Sequence, residues 1–308
     1  MKKNLLLPTL LLSSCFLGSP AQAQIDLFFR PDLILEYDFN GNPLGTTQLA
    51  ERSQPLIPNY FAVSGDDVYV VGTMPGGGGG AFELDGSVIN NNLFPGAPAL
   101  YNIVVSGGNL FVAEESTSGN FSIGKYGIDG SRINPGFIPL PDVQTEDLIV
   151  SGNDLFVAEA NGTIGEYGLD GSTVSTALLS GFSLPTAIAI SGSDIFVADY
   201  NKGTIGEYGL DGSTIDASLV TGLDNPGSLY IYNGDIYVSN MGNGTIGEYG
   251  LDGTPVNASL IQVPGSPDGG NAILGLYVVP EPTTLALAVP GAIGLWIAFR
   301  RKKQRAGR

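Results

Sequence analysis

Between residues 24 and 279 the chain carries short runs of β-branched and aromatic residues broken by Gly-containing polar turns, and no run follows a helical period. One pair of runs recurs: FAVSGDDVYVVG from Phe61, IVVSGGNLFVAE from Ile103, LIVSGNDLFVAE from Leu148, IAISGSDIFVAD from Ile188 and LYIYNGDIYVSN from Leu229. Two apolar runs joined by a tight polar turn predict a β-hairpin. A third run follows. GTIGEYGLDG occurs identically at 162–171, 203–212 and 244–253, a period of 41 residues, with looser copies at Phe121–Gly130, Ala81–Gly86 and Leu33–Gly41. It alternates apolar and polar residues and ends in Asp-Gly or Asn-Gly, pairs that favour a type I′ turn because both positions accept positive φ. A fourth, more variable run completes each unit, as at Thr173–Leu179 and Thr214–Val220. Each repeat therefore predicts four short antiparallel strands, a to d.

Four-stranded units of 40–45 residues are the signature of a β-propeller blade. Six such units predict an all-β, six-bladed β-propeller over 24–279. Ile25–Phe29 reads as a strand b without a strand a, and Ile273–Val279 as a strand a without a following blade. Joined, they make a first/last blade shared by both termini, which leaves no free sheet edge. The predicted blades are 24–60 with 271–279, then 61–102, 103–147, 148–187, 188–228 and 229–270. The repeats resemble those of NHL-type six-bladed propellers.

The two ends read differently. Residues 1–23 have a Lys2-Lys3 start, an apolar stretch to Leu17 and an Ala21-Gln22-Ala23 site, the three parts of a secretory signal peptide cut after Ala23. Leu12-Ser13-Ser14-Cys15 matches a bacterial lipobox, so lipidation of Cys15 stays open as the alternative. At the other end, residues 280–308 carry Pro280-Glu281-Pro282, an apolar run from Thr283 to Phe299, and a basic tail 300–308 with Arg300, Arg301, Lys302 and Lys303. An apolar helix over 283–299 spans roughly 25 Å, just enough to cross a bilayer, and the cations keep the tail cytoplasmic. This ordered triple resembles the PEP-CTERM sorting signal of Gram-negative bacteria. The resemblance implies export past signal peptidase, transient inner-membrane anchoring, and cutting by an exosortase. It further implies release to the cell surface or extracellular matrix, alongside exopolysaccharide and biofilm production.

Composition narrows the chemistry. There is no His, and Cys15 is the single Cys. A Ser-His-Asp triad, a His-ligated zinc and a His base are excluded, and a mature chain cut after Ala23 has no thiol. Residues 24–279 hold five Lys and Arg against 29 Asp and Glu, a net charge of −24. That surface repels nucleic acid and suits cations or basic partners. With few groups titrating between pH 5 and 8, stability is expected to be nearly flat there unless a carboxylate is strongly shifted.

Alternation of antiparallel strands puts the a–b and c–d turns on one face and the more variable b–c and d–a loops on the other. Candidate ligand-face residues are therefore Glu114, Glu159, Asp199 and Asn240 at the ends of the b strands, together with Glu115, Asn161, Asn201 and Asn243. Glu146 and Asp147 begin a strand a beside the channel, where Asn102 and Asn271 hold similar positions. Such oxygens suit Ca²⁺. A divalent-metal-dependent lactonase or hydrolase of the six-bladed type is the alternative function, although no D-x-D-x-D-G loop occurs and no catalytic pair stands out. Asp129, Asp170, Asp211 and Asp252 are expected to serve turns, Glu166, Glu207 and Glu248 to face solvent from strand c, and Gly76–Gly80 to form a loop. The main reading is a non-enzymatic interaction module without cofactor, whose partner is a matrix polysaccharide or protein.

Overall fold

The computed structural model describes residues 24–29, 33–48, 58–72, 78–116, 118–140, 143–263 and 273–279. The signal peptide with Ala21, Ala23 and Cys15, Asn271, and the sorting signal with Pro280, Glu281, Pro282 and the basic tail all lie outside these. No helix long and apolar enough to cross a membrane occurs among the described residues.

Among the described residues, twenty-four strands make up the fold. The first three are β1 (Gln24–Phe29), β2 (Leu33–Tyr37) and β3 (Pro43–Gln48). Five blades follow, each of four consecutive strands. They are β4 (Pro58–Ser64), β5 (Asp67–Gly72), β6 (Gly78–Glu83) and β7 (Val88–Asn90); β8 (Ala99–Ser106), β9 (Asn109–Glu115), β10 (Phe121–Gly127) and β11 (Arg132–Leu140); β12 (Thr145–Ser151), β13 (Asp154–Glu159), β14 (Thr163–Gly168) and β15 (Thr173–Ser180); β16 (Pro185–Ser191), β17 (Asp194–Asp199), β18 (Thr204–Gly209) and β19 (Thr214–Thr221); and β20 (Pro226–Tyr232), β21 (Asp235–Asn240), β22 (Thr245–Gly250) and β23 (Pro255–Gln262). The last strand is β24 (Ile273–Val279).

The result is an all-β, propeller-like array. Its five blades of consecutive strands are one fewer than the six predicted. The remaining four-stranded sheet has the order β24-β1-β2-β3 and so takes one strand from the far end of the chain. Gln24 pairs with Val279 and Leu27 with Leu276 across that junction.

Burial explains why the b strands read as unbroken apolar runs. Phe156, Val157 and Ala158 on β13 are all buried, as are Phe196, Val197 and Ala198 on β17, because a neighbouring sheet covers each face. The core is accordingly a set of layers between successive sheets. One layer holds Phe156, Ile164, Ile188, Ile195 and Val197; another joins Tyr37 of β2 to Tyr237, Ile246 and Leu260 of the β20–β23 blade.

Several expectations are corrected. Innermost strands start about three residues earlier than predicted, at Pro58, Ala99, Thr145, Pro185 and Pro226. Each contains a register shift, between Thr145 and Asp147 for example, and this bulge breaks the alternation that would have marked the strand start. The Asp-Gly turns are not type I′. Only the Gly has positive φ; Gly130 N donates to Gly127 O and Gly127 N to Ser131 O, the pattern of a type I turn followed by a left-handed residue. Asp129, Asp170, Asp211 and Asp252 do serve these turns, each accepting from the backbone N–H two residues on at 2.9–3.0 Å. Glu248 is buried and accepts from Tyr237 Oη at 2.9 Å, and Glu166 and Glu207 are half-buried, because strand c also faces a neighbouring sheet. Gly78–Gly80 belong to a strand rather than a loop; the Phe94 ring lies where a Cβ on Gly79 would stand.

The turn glycine has a second use that the sequence hides. A Cβ on Gly130 would collide with the Leu93 carbonyl, and one on Gly253 with the Leu219 carbonyl. On Gly41 it would meet the Leu260 carbonyl. In each case the c–d turn presses against the outer strand or the segment following it in the preceding sheet, so Gly is required by contact as well as by φ.

Candidate functional site

Two sets of polar residues occupy the face that carries the b–c and d–a loops. The outer set sits at the last positions of the b strands. Glu114 is 4 % exposed and accepts from Tyr126 Oη at 2.6 Å, Gly136 N at 3.1 Å and Arg132 Nη2 at 3.2 Å. Glu159 accepts from Thr163 Oγ1 at 2.8 Å and from Asn161 Nδ2 and Tyr167 Oη, each at 3.2 Å. Asp199 accepts from Ser183 N at 2.8 Å and Leu184 N at 3.2 Å, and pairs with Lys202 Nζ at 3.2 Å. Asn240 accepts from Asp224 N and donates to Thr245 Oγ1, both at 3.2 Å. All four are buried; Glu159, Asp199 and Asn240 fasten loop residues to their own blades, and Glu114 ties strand β9 to β10 and β11.

Electrostatics follow the geometry. Burial alone would raise the Asp199 carboxyl, but hydrogen bonds from Ser183, Leu184 and Lys202 carry it below the ordinary carboxylate value. Burial, then the adjacent carboxylate, push the Tyr126 and Tyr167 hydroxyls well up. The remaining candidates here are also tied in. Tyr101 Oη donates to Glu115, which raises the tyrosine to about 12. Asn201 Nδ2 reaches Ser183 Oγ at 3.3 Å, and Asn243 Oδ1 caps Thr245 N at 3.1 Å.

The inner set lines a cavity of about 360 Å³ between the innermost strands. Glu146 and Asp147 of β12 both face it, with Asn102 of β8, Tyr60 of β4, Thr186 of β16 and Ser228 of β20. Asp147 is densely enclosed although the cavity still gives it water. Its Oδ1 accepts from Leu148 N at 2.8 Å and Asn102 Nδ2 at 3.2 Å, and its Oδ2 accepts from Ile188 N at 2.8 Å. Asn102 Nδ2 also donates to Glu146 O at 3.1 Å, and Thr186 Oγ1 to Pro226 O at 2.7 Å. These bonds tie β8, β12, β16 and β20 side to side. Desolvation pushes Asp147 up to about 6 despite its donors, with the Glu146 charge adding to the rise. Burial also raises Glu146, whose carboxylate takes no hydrogen bond from a described residue.

Sequence reasoning missed Tyr60, Thr186 and Ser228. A signal for two of them was present. Counting back eleven residues from the b-strand positions Val71, Ala113, Ala158, Ala198 and Ser239 gives Tyr60, Asn102, Asp147, Ala187 and Ser228. That column is the start of the channel wall, and the bulge hides it. Among the described residues no group of three or more His, Cys, Asp and Glu is arranged to hold a metal ion.

No family model matches the chain, and no curated protein matches it. Solved structures do. A chain from the crystal structure of a nidogen/laminin complex superposes with a TM-score of 0.64 over 84 % of this chain and 99 % of its own, at 12 % identity. The computationally designed Ika8 protein superposes with a TM-score of 0.47 over 81 % of this chain and 77 % of its own, at 14 % identity. At 12 % identity the first likeness speaks to the propeller fold alone.

Proposed function

We propose that this chain is an exported, surface-sorted propeller that binds rather than catalyses, acting as an interaction module of the extracellular matrix and its polysaccharide. The observation that carries the reading is the engagement of the loop-face acids. Glu159 and Asp199 hold loops, Glu114 holds the outer strands of its own blade, and Asp147 holds neighbouring strands. Glu146 takes no hydrogen bond from a described residue, and the acid beside it, Asp147, already accepts three N–H groups. A hydrolase needs a nucleophile or activated water next to a base, and a metal route needs a cluster of oxygen ligands. The test is a lactone and aryl-ester hydrolysis screen of the purified full-length chain, together with its metal content. No turnover and no stoichiometric metal are expected; metal-dependent turnover would overturn the reading in favour of a lactonase.

We infer that the array closes as a six-bladed ring. Support comes from β24, which lies against both β20 and β4, and from Gly41, whose turn meets Leu260. Removal of 273–279 would leave β1 as an open edge and is expected to cost several kcal/mol, on a scale of ~2–5 for one large core side chain. An unchanged melting temperature would count against closure.

The sorting reading rests on Pro280-Glu281-Pro282, the apolar run and the basic end, with signal peptidase and an exosortase as processing partners. Mass spectrometry of protein shed by the native host is expected to find a C-terminus near the motif. An intact chain ending at Arg308 in that fraction would refute it.

A further inference from the structure

We propose that the central channel binds a small organic cation, a primary ammonium or guanidinium group, with the Glu146 carboxylate as its counter-ion. The inference rests on reading the loop face as a binding face.

The first observation is a charge without a partner. Every described cation is committed elsewhere: Arg132 to Glu114, Lys202 to Asp199, and Lys125 over the Phe111 and Phe137 rings at 5.3 and 5.1 Å. Glu146 and Asp147 therefore place two adjacent carboxylates on one cavity wall with no described cation beside them. A partly buried carboxylate with no described partner is costly, and an arriving cation recovers part of that cost. An anion meets repulsion, and a neutral guest leaves the charge uncompensated.

A second, independent observation is the Tyr60 hydroxyl. It is enclosed by the cavity wall, and no described residue hydrogen-bonds to it. Its lone pairs, with those of Ser228 Oγ and Thr186 Oγ1, supply acceptors around the same space.

Size and donor chemistry select the kind of cation. The cavity of 360 Å³ holds about a dozen waters, far more than one bare ion displaces. Ca²⁺ takes 6–8 oxygens. Glu146 is the one acid here with both oxygens open, because Asp147 already accepts three N–H bonds. Directional N–H donors on an organic scaffold fit these scattered acceptors better than a metal sphere.

The test is titration calorimetry on the full-length chain in mild detergent. The probes are butylguanidinium and butylammonium, compared with butanol, butyrate and CaCl₂. Saturable one-to-one binding of at least one of the two organic cations is expected, with none for butanol or butyrate. Glu146→Gln is expected to weaken binding about 30-fold or more, the effect of removing one partner of a buried charge pair. Tyr60→Phe is expected to weaken it about fivefold. No saturable cation binding at millimolar concentration, equal binding of butanol, or tighter stoichiometric binding of Ca²⁺ would overturn the proposal. The wild-type selectivity decides the matter even if a variant folds poorly. Absence of both cation binding and turnover defeats this inference alone, whereas turnover defeats the non-enzymatic reading and leaves cation binding standing.

Discussion

The b-strand ends and the channel wall use the same side chains for opposite purposes. Glu114, Glu159 and Asp199 are each surrounded by donors, Glu114 from the outer strands of its blade and the other two from loops as well. Glu146, at the same end of the molecule but one strand inward, has a raised carboxyl and no donor among the described residues. The difference lies in position within the blade. A b strand is covered on both faces and its end meets two loops whose N–H groups need acceptors. The innermost strand faces a cavity, where a carboxylate can remain unsatisfied. Acid content alone therefore says little about function; the supply of donors decides.

The largest effect expected from breaking this contrast is at Glu114. Glu114→Ala leaves Arg132, Tyr126 Oη and Gly136 N without their acceptor and is expected to cost about 3 kcal/mol in thermal or denaturant unfolding. A loss below 1 kcal/mol would show that the clamp is dispensable.

Next comes the pH dependence of Asp147. Its carboxyl holds a proton more tightly in the fold, about 6 against 3.8, so it stabilises the fold where it is protonated. Its contribution is full below 3.8 and is lost as pH rises to about 6, by roughly 2 kcal/mol. This is the strongly shifted carboxylate that makes stability less flat near pH 5–6 than composition suggests. Asp147→Asn is expected to remove that decline in melting experiments from pH 4 to 7; an unaltered slope would assign the titration elsewhere.

A smaller change is expected at Lys202, which is half-exposed where it meets Asp199. Lys202→Met should cost less than about 1 kcal/mol, because Ser183 and Leu184 still hold the carboxylate. A larger loss would mean that the ion pair, not the backbone donors, fixes the loop. Smallest of all, Glu146→Gln is expected to leave stability unchanged or raise it by about 0.5 kcal/mol, since it removes a buried charge with no donor to abandon. Marked destabilisation would show that Glu146 is clamped like Asp147 and the outer set.

Much of the architecture is legible in the repeats. The 41-residue period, the apolar b runs and the half-repeats at both ends give the strand count of each unit and the pairing of β1 with β24. The polar ring of the channel is harder to see because a bulge at Thr145–Asp147, and at its counterparts, breaks alternation where the ring begins. The partners of Glu159 come from within its own turn and strand, so a local reading could find them. Asp199 has one such neighbour in Lys202, but its backbone donors Ser183 and Leu184 lie 16 and 15 residues away on a returning loop, and only the fold brings them together.

The joint between the c–d turn and the preceding sheet has a consequence for assembly. Its two sides differ, a glycine turn on one blade and an outer-strand carbonyl on the next, so the contact is head-to-tail. Head-to-tail joints end only where the rotation brings the last unit back to the first. A fragment holding just the near-identical units around 162–171, 203–212 and 244–253 would present one unused turn and one unused carbonyl surface. Such a fragment lacks the composite β24-β1-β2-β3 sheet, whose Gly41 turn covers the Leu260 carbonyl of the last consecutive blade.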